Sequence, residues 1–80
     1  MFQVKMPQWG MDMAEGTVVK WLKREGERVQ KGEPLAEIET AKTTNTLDSP
    51  IAGVISKLIA NEDETVHVQG LLAIIDDGAG

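Results

Sequence analysis

The sequence predicts an all-β fold, a sandwich or flattened barrel made of two similar halves packed together. Two observations carry that expectation. A gapless self-repeat places "GTVVKWLKREGERVQKGEPLAEIE", from Gly16, over "GVISKLIANEDETVHVQGLLAIID", from Gly53. Within each copy the apolar residues fall in short, β-branched runs interrupted by turn residues.

In the repeat Gly16 falls on Gly53, Lys20 on Lys57, Glu25 on Glu62, Glu27 on Glu64 and Val29 on Val66. Leu35, Ala36 and Ile38 fall on Leu72, Ala73 and Ile75. Chance rarely matches glycine, charge and apolar positions together. Two copies are too few for a solenoid, so two packed halves are expected. The departures are mild: Gly26 meets Asp63, and Gly32 meets Gln69 with Gly70 one residue on.

The first copy opens on "TVVKW", a short glycine-preceded run of β-formers that reads as a strand. A helix over "VVKWLKREGERV" is the weaker reading. Val18, Trp21, Leu22 and Val29 roughly keep its period, but Gly26 interrupts it and strong β-formers crowd its start. "REGERVQKGEP" reads as polar turns followed by a short strand, with glycine supplying backbone angles that other residues avoid. "GEPLAEIE" is the next strand. The connecting segment "TAKTTNTLDSPIA" then forms a hairpin-like turn, exposed because a buried loop would leave backbone groups unsatisfied. Thr43, Thr44 and Thr46 suit an extended exit from it, and Pro50 and Gly53 punctuate the start of the second half. There "VISKLI", "NEDETVHVQG" and "GLLAIID" repeat the pattern.

The same alignment predicts the core. Val18 and Ile55, Leu22 and Ile59, Val29 and Val66, Leu35 and Leu72, and Ile38 and Ile75 are apolar in both copies and are expected between the sheets. Trp21 matches Leu58, so packing is its expected task.

Eighty residues make one small domain with a modest core and little room for a buried active-site cleft. Thirteen acidic residues against eight basic ones, with no basic run, argue against a grip on nucleic acid. The absence of cysteine excludes disulfides, thiolate metal sites and a cysteine nucleophile, and suits a reducing compartment. "MFQVKMPQWG" lacks the basic and apolar regions of a signal peptide, and no apolar run approaches the roughly 20 residues of a spanning helix. A cytoplasmic location with no membrane partner is therefore expected. His67 stands alone in "VHVQG" without a second ligand or base at working spacing, so a metal or general-base role is disfavoured. No nucleophile and base constellation points to an independent enzyme. "KREGER" reads as a solvated face.

One residue remains unexplained. The first copy ends near Glu39 and the second begins near Gly53, which places Lys42 at the turn between them. Its plain reading is a solvated lysine. The context "MPQWGMDMAEGTVVKWLKREGERVQKGEPLAEIETAK" followed by "SPIAGVI", however, resembles a lipoyl domain of the 2-oxo acid dehydrogenase acyltransferases, from Val4 to about Asp77. The resemblance implies a flattened barrel of two four-stranded sheets related by a pseudo-twofold axis. It also implies a lipoyl domain over residues 1–77 in a parent chain that is a dihydrolipoamide acyltransferase, and the small residues of "DDGAG" read as the start of a linker or tail at 78–80.

By that resemblance Lys42 carries lipoic acid in amide linkage, added by a lipoate ligase or lipoyl transferase. The arm has some eleven bonds from Cα, and at about 1.25 Å advance per bond it reaches on the order of 14 Å. It would visit a thiamine-diphosphate-dependent dehydrogenase, the acyltransferase core and dihydrolipoamide dehydrogenase in turn, carrying acyl groups and electrons. The domain would be a carrier and not a catalyst. Members of the family usually have aspartate before the modified lysine and often alanine after it, whereas this chain has Ala41 and Thr43. That departure bears on which dehydrogenase recognises the domain. The resemblance assigns recognition to the loop from Gln8 to Gly16, with Trp9 and Asp12 its best candidates, and to Thr40, Ala41 and Thr43 beside the lysine. Met11 and Met13 have a plain reading as partly buried loop residues. Two alternatives stay open: a biotinyl carrier for carboxyl transfer, though the methionines that usually flank such a lysine are absent, and an unmodified β-sandwich interaction module.

Overall fold

In the computed structural model, which describes residues 1–78, eight strands form two four-stranded antiparallel sheets, with no helix among the described residues. The strands are β1 Phe2–Lys5, β2 Glu15–Trp21, β3 Arg28–Val29, β4 Pro34–Glu39, β5 Thr44–Asp48, β6 Gly53–Leu58, β7 Thr65–His67 and β8 Leu71–Asp76. One sheet runs β1-β8-β6-β3 and the other β5-β4-β2-β7. Of the tail expected at 78–80, residues 79 and 80 lie outside the described residues.

The repeat has a spatial meaning. Exchanging β2 with β6, β3 with β7 and β4 with β8 turns one sheet order into the other, and β1 then exchanges with β5. This is the pseudo-twofold arrangement. Even the irregularities obey it: the register shifts between Val18 and Lys20 in β2 and between Ile55 and Lys57 in β6. A bulge turns successive side chains off the strict alternation, which is how Val19 and Lys20 both reach solvent.

Val18, Ile55, Val29, Leu35, Leu72, Ile38 and Ile75 are fully buried between the sheets. Three of the expected core residues are not. Leu22 and Ile59 are 38% and 39% exposed, and Val66 is only partly buried at the periphery. Leu22 and Ile59 follow the last residues of β2 and β6, where their backbone amides bond Leu35 and Leu72 but the side chains lie outside the sandwich. Equal apolarity in two copies records equal position, not burial. Their places in the core are taken by Val4, Met6, Leu47 and Ala60, all buried. The first three lie outside the repeated segments and so carried no signal in the alignment.

Trp21 is half-buried against the core and donates its indole Nε1–H to the Ala60 carbonyl at 2.8 Å, consistent with packing. Met13 packs against the core, but Met11 is 97% exposed, correcting its expected partial burial.

Candidate functional site

Lys42 sits at the tip of the β4–β5 hairpin. Glu39 pairs with Thr44 as the last rung, leaving Thr40, Ala41, Lys42 and Thr43 to turn the chain. The Thr40 amide donates to the Thr43 carbonyl at 2.8 Å. The Thr40 hydroxyl donates to the same carbonyl at 2.9 Å and accepts from the amides of Thr43 and Lys42 at 3.2 and 3.4 Å. One proton and two lone pairs are the whole capacity of a hydroxyl. Thr40 therefore spends all of it on fixing the turn, and the lysine stem leaves a defined backbone.

The twofold relates this hairpin, where β4 hands over to β5, to the place where β8 ends beside the start of β1. There the N-terminal amine lies 3.8 Å from the Asp77 carboxylate. Each half thus offers one such end, and only the first is a closed hairpin bearing a lysine.

The loop between β1 and β2 forms the other wall of the site. From Met6 to Gly16 the chain takes ten steps, whereas from Ser49 to Gly53, the twofold-related connection, it takes four. Six residues are thus inserted on the side that faces Lys42. Gln8 Nε2 donates to the carbonyls of Met11 and Met13 at 3.4 and 3.3 Å, and the Met13 amide donates to the Gly10 carbonyl at 3.1 Å. These bonds fold the insert on itself and project Asp12, whose Oδ2 lies 3.1 Å from Lys42 Nζ. Both side chains are largely solvated, at 78% exposed for Lys42 and 81% for Asp12. Such a pair contributes little to stability.

An open groove of ≈ 710 Å³ runs between hairpin and loop. Trp9, Asp12, Thr40, Ala41, Lys42 and Thr43 all line it, so the structure brings every candidate site residue to one place. Glu15 and Glu39 line it too, and the sequence did not single them out. Their only signal was position, one at the start of β2 and one at the end of β4, beside each rim. His67 lies across from Glu15 in the β2–β7 ladder, and no group of three potential metal ligands occurs among the described residues.

The structure thus presents an exposed lysine at a hairpin tip between two twofold-related halves. The profile of the biotin/lipoyl family, described as biotin-requiring enzyme, matches residues 2–75, and the chain belongs to that family. It is 47% identical over 76 residues to the dihydrolipoyllysine-residue acetyltransferase component of the pyruvate dehydrogenase complex of Corynebacterium glutamicum, covering 95% of this chain and 11% of that one. It is 41% identical over 73 residues to the corresponding component of the acetoin cleaving system of Pseudomonas putida, covering 91% and 20%. The solution structure of the lipoyl domain of the 2-oxoglutarate dehydrogenase complex from Azotobacter vinelandii superimposes with a TM-score of 0.77 at 33% identity, covering 95% of this chain and 96% of that domain. Urea carboxylase of Kluyveromyces lactis shares the fold, with a TM-score of 0.71 at 21% identity over 95% of this chain and 7% of that one. The chain spans between about a tenth and a fifth of the length of these two curated relatives. Family and relatives together make it a lipoyl carrier domain, non-catalytic by itself, and set the biotinyl alternative aside.

Proposed function

We propose that Lys42 is the attachment site, that lipoate is the group attached, and that the domain serves as the swinging arm of a 2-oxo acid or acetoin-type dehydrogenase complex. The observation that carries the reading is the solvated Lys42 amine at the apex of a turn clasped by Thr40. An acylating enzyme needs an accessible amine on a backbone that does not shift, and the hairpin offers both. Bound lipoate supplies a dithiolane that accepts an acyl group and two electrons, chemistry that this cysteine-free chain lacks.

The chain's own contribution is display. The hairpin lifts the amine clear of both sheets, and the groove beside it keeps the first part of the arm open to solvent. Tethering raises the local concentration of the group at each active site visited. The partners are a thiamine-diphosphate-dependent dehydrogenase, the acyltransferase core, dihydrolipoamide dehydrogenase and a lipoate ligase or lipoyl transferase. Trp9, Asp12, Thr40, Ala41 and Thr43 form the surface these partners read. Residues 1–77 constitute the domain, and further chain carries it in the parent acyltransferase.

Intact mass after expression with lipoate ligase and lipoate, or with biotin ligase and biotin, tests the reading directly. Wild type gains one lipoyl group and no biotinyl group. Lys42→Arg gains neither and unfolds at an unchanged temperature, since guanidinium is not the acylated nucleophile and the side chain is solvated. Lipoylation of Lys42→Arg would sink the assignment.

A further inference from the structure

We infer that Asp12 makes the docking surface sensitive to the state of Lys42, masked by the ammonium in the bare domain and presented to a cationic partner surface once the amine is acylated. The inference rests on Lys42 being the attachment site and goes beyond it.

The charged residues lining the groove are Asp12, Glu15, Glu39 and Lys42, so Lys42 is the one cation among them. Its ammonium lies against Asp12 rather than against either glutamate, at 3.1 Å. Acylation by an activated carboxyl donor of the acyl-adenylate class forms the Nζ–C bond as the C–O bond to the adenylate phosphate breaks; adenylate leaves as its anion, and the two protons lost from nitrogen pass to solvent. The nitrogen becomes a neutral amide with a single N–H. The groove then holds three carboxylates and no cation, and its formal charge passes from −2 to −3. Asp12 undergoes the largest change because it alone loses an ion-pair partner.

Ala41 and Thr43 sharpen the point. Neither neighbour of the lysine is ionisable, so no carboxylate adjacent in sequence duplicates the role of Asp12. The carboxylate arrives instead from the six-residue insert of the β1–β2 loop, held by the Gln8 and Met13 hydrogen bonds. A partner lined by lysine or arginine at the mouth of its active site fits the acylated groove. Against the bare domain it meets an ammonium first, and part of the attraction is cancelled. Unloaded domains then compete poorly for the same docking place.

The test is an NMR titration of the 15N-labelled domain with hexalysine as a defined cationic probe, read at the Asp12 and Met13 amides in low salt. Bare wild type, lipoylated wild type, Lys42→Gln, Lys42→Arg and the same lysine variants on Asp12→Asn are compared. Before any probe is added, these two amides move between Lys42→Arg and Lys42→Gln, and the lipoylated domain follows Lys42→Gln. Hexalysine binds Lys42→Gln and the lipoylated domain about threefold to tenfold more tightly than bare wild type or Lys42→Arg, the scale of one charge at a solvated surface. The gap narrows on Asp12→Asn, where the ammonium has no ion-pair partner to unmask and only Glu15 and Glu39 remain. Equal binding throughout, or a gap undiminished by Asp12→Asn, overturns the inference. Failure of Lys42 to accept lipoate is a separate outcome that sinks the attachment site, while the Gln and Arg comparison still decides the pairing with Asp12.

Discussion

The backbone amide of Trp21 donates to the Glu62 carboxylate at 3.0 Å, and its twofold-related bond runs from Leu58 to Glu25 at 2.9 Å. Each half thereby caps the end of the other's central strand, beyond the bulge, where the sheet supplies no carbonyl. Both glutamates are among the residues matched in the repeat, which gives the match a physical cause.

Glu62→Ala should cost about 1 kcal/mol of unfolding free energy, the net worth of a solvated hydrogen bond to a charged acceptor. Glu62→Gln, which keeps an acceptor oxygen, should cost less. Urea denaturation of both variants checks the order.

Gly16 and Gly53 are matched for a different reason. A Cβ on Gly53 would lie 2.5 Å from the Asp76 carbonyl oxygen and 2.7 Å from Ile75 Cγ2, while one on Gly16 would lie 2.7 Å from Ile38 Cγ2 and 3.1 Å from the Met6 thioether. Backbone at the end of a paired strand cannot yield as side chains do. Gly53→Ala is expected to destabilise by about 1–3 kcal/mol, as overpacked cores do. Gly16→Ala should lose less, and the difference is measured by thermal unfolding of the two variants.

The two departures from the repeat fall on left-handed backbone. Gly26 and Gly32 have φ of 91° and 88°, and their counterparts Asp63 and Gln69 have 71° and 75°. Aspartate tolerates this region through local hydrogen bonding, whereas glutamine bears the steric cost of its Cβ. Gln69→Gly should therefore stabilise by about 0.5–1 kcal/mol after the extra entropy of an unfolded glycine is deducted. Asp63→Gly should gain less. A loss of stability in Gln69→Gly would contradict the argument.

Lys23 and Glu33 form the shortest ion pair among the described residues, at 2.9 Å. Their stems are largely covered, at 23% and 35% exposed, while the charged ends reach water. The hydrogen bond from Lys23, helped by the Gln30 amide, holds the Glu33 carboxyl below its ordinary range, and the bond to Glu33 raises Lys23 above its own. A depressed carboxylate contributes stability above the unfolded value and loses it as pH falls through the folded one. A raised lysine contributes below its unfolded value and loses that contribution as pH rises past the folded one. Glu33→Gln should flatten the acid limb of the stability profile, seen as urea midpoints that fall less on acidification than those of wild type.

Much of this architecture was legible in the sequence because the repeat matched residues with equivalent tasks. Leu35 with Leu72 and Ile38 with Ile75 are fully buried pairs, and Gly16 with Gly53 marks two close approaches. The same logic misled at Leu22 and Ile59, which are equivalent and equally exposed. Met6 could not be read as core, since the alignment began ten residues later.

The order of residues alone determined that two β halves would form and that Lys42 would stand at their junction, because turn chemistry and strand periodicity are local properties. What surrounds the lysine was decided only by folding. Asp12 is thirty positions away in the chain and reaches Lys42 because the insert between β1 and β2, which crosses from one sheet to the other, lies beside the β4–β5 hairpin. Glu15 and Glu39 become neighbours of that pair for the same reason. Electrostatic environment depends on distance through space, which a linear sequence does not record.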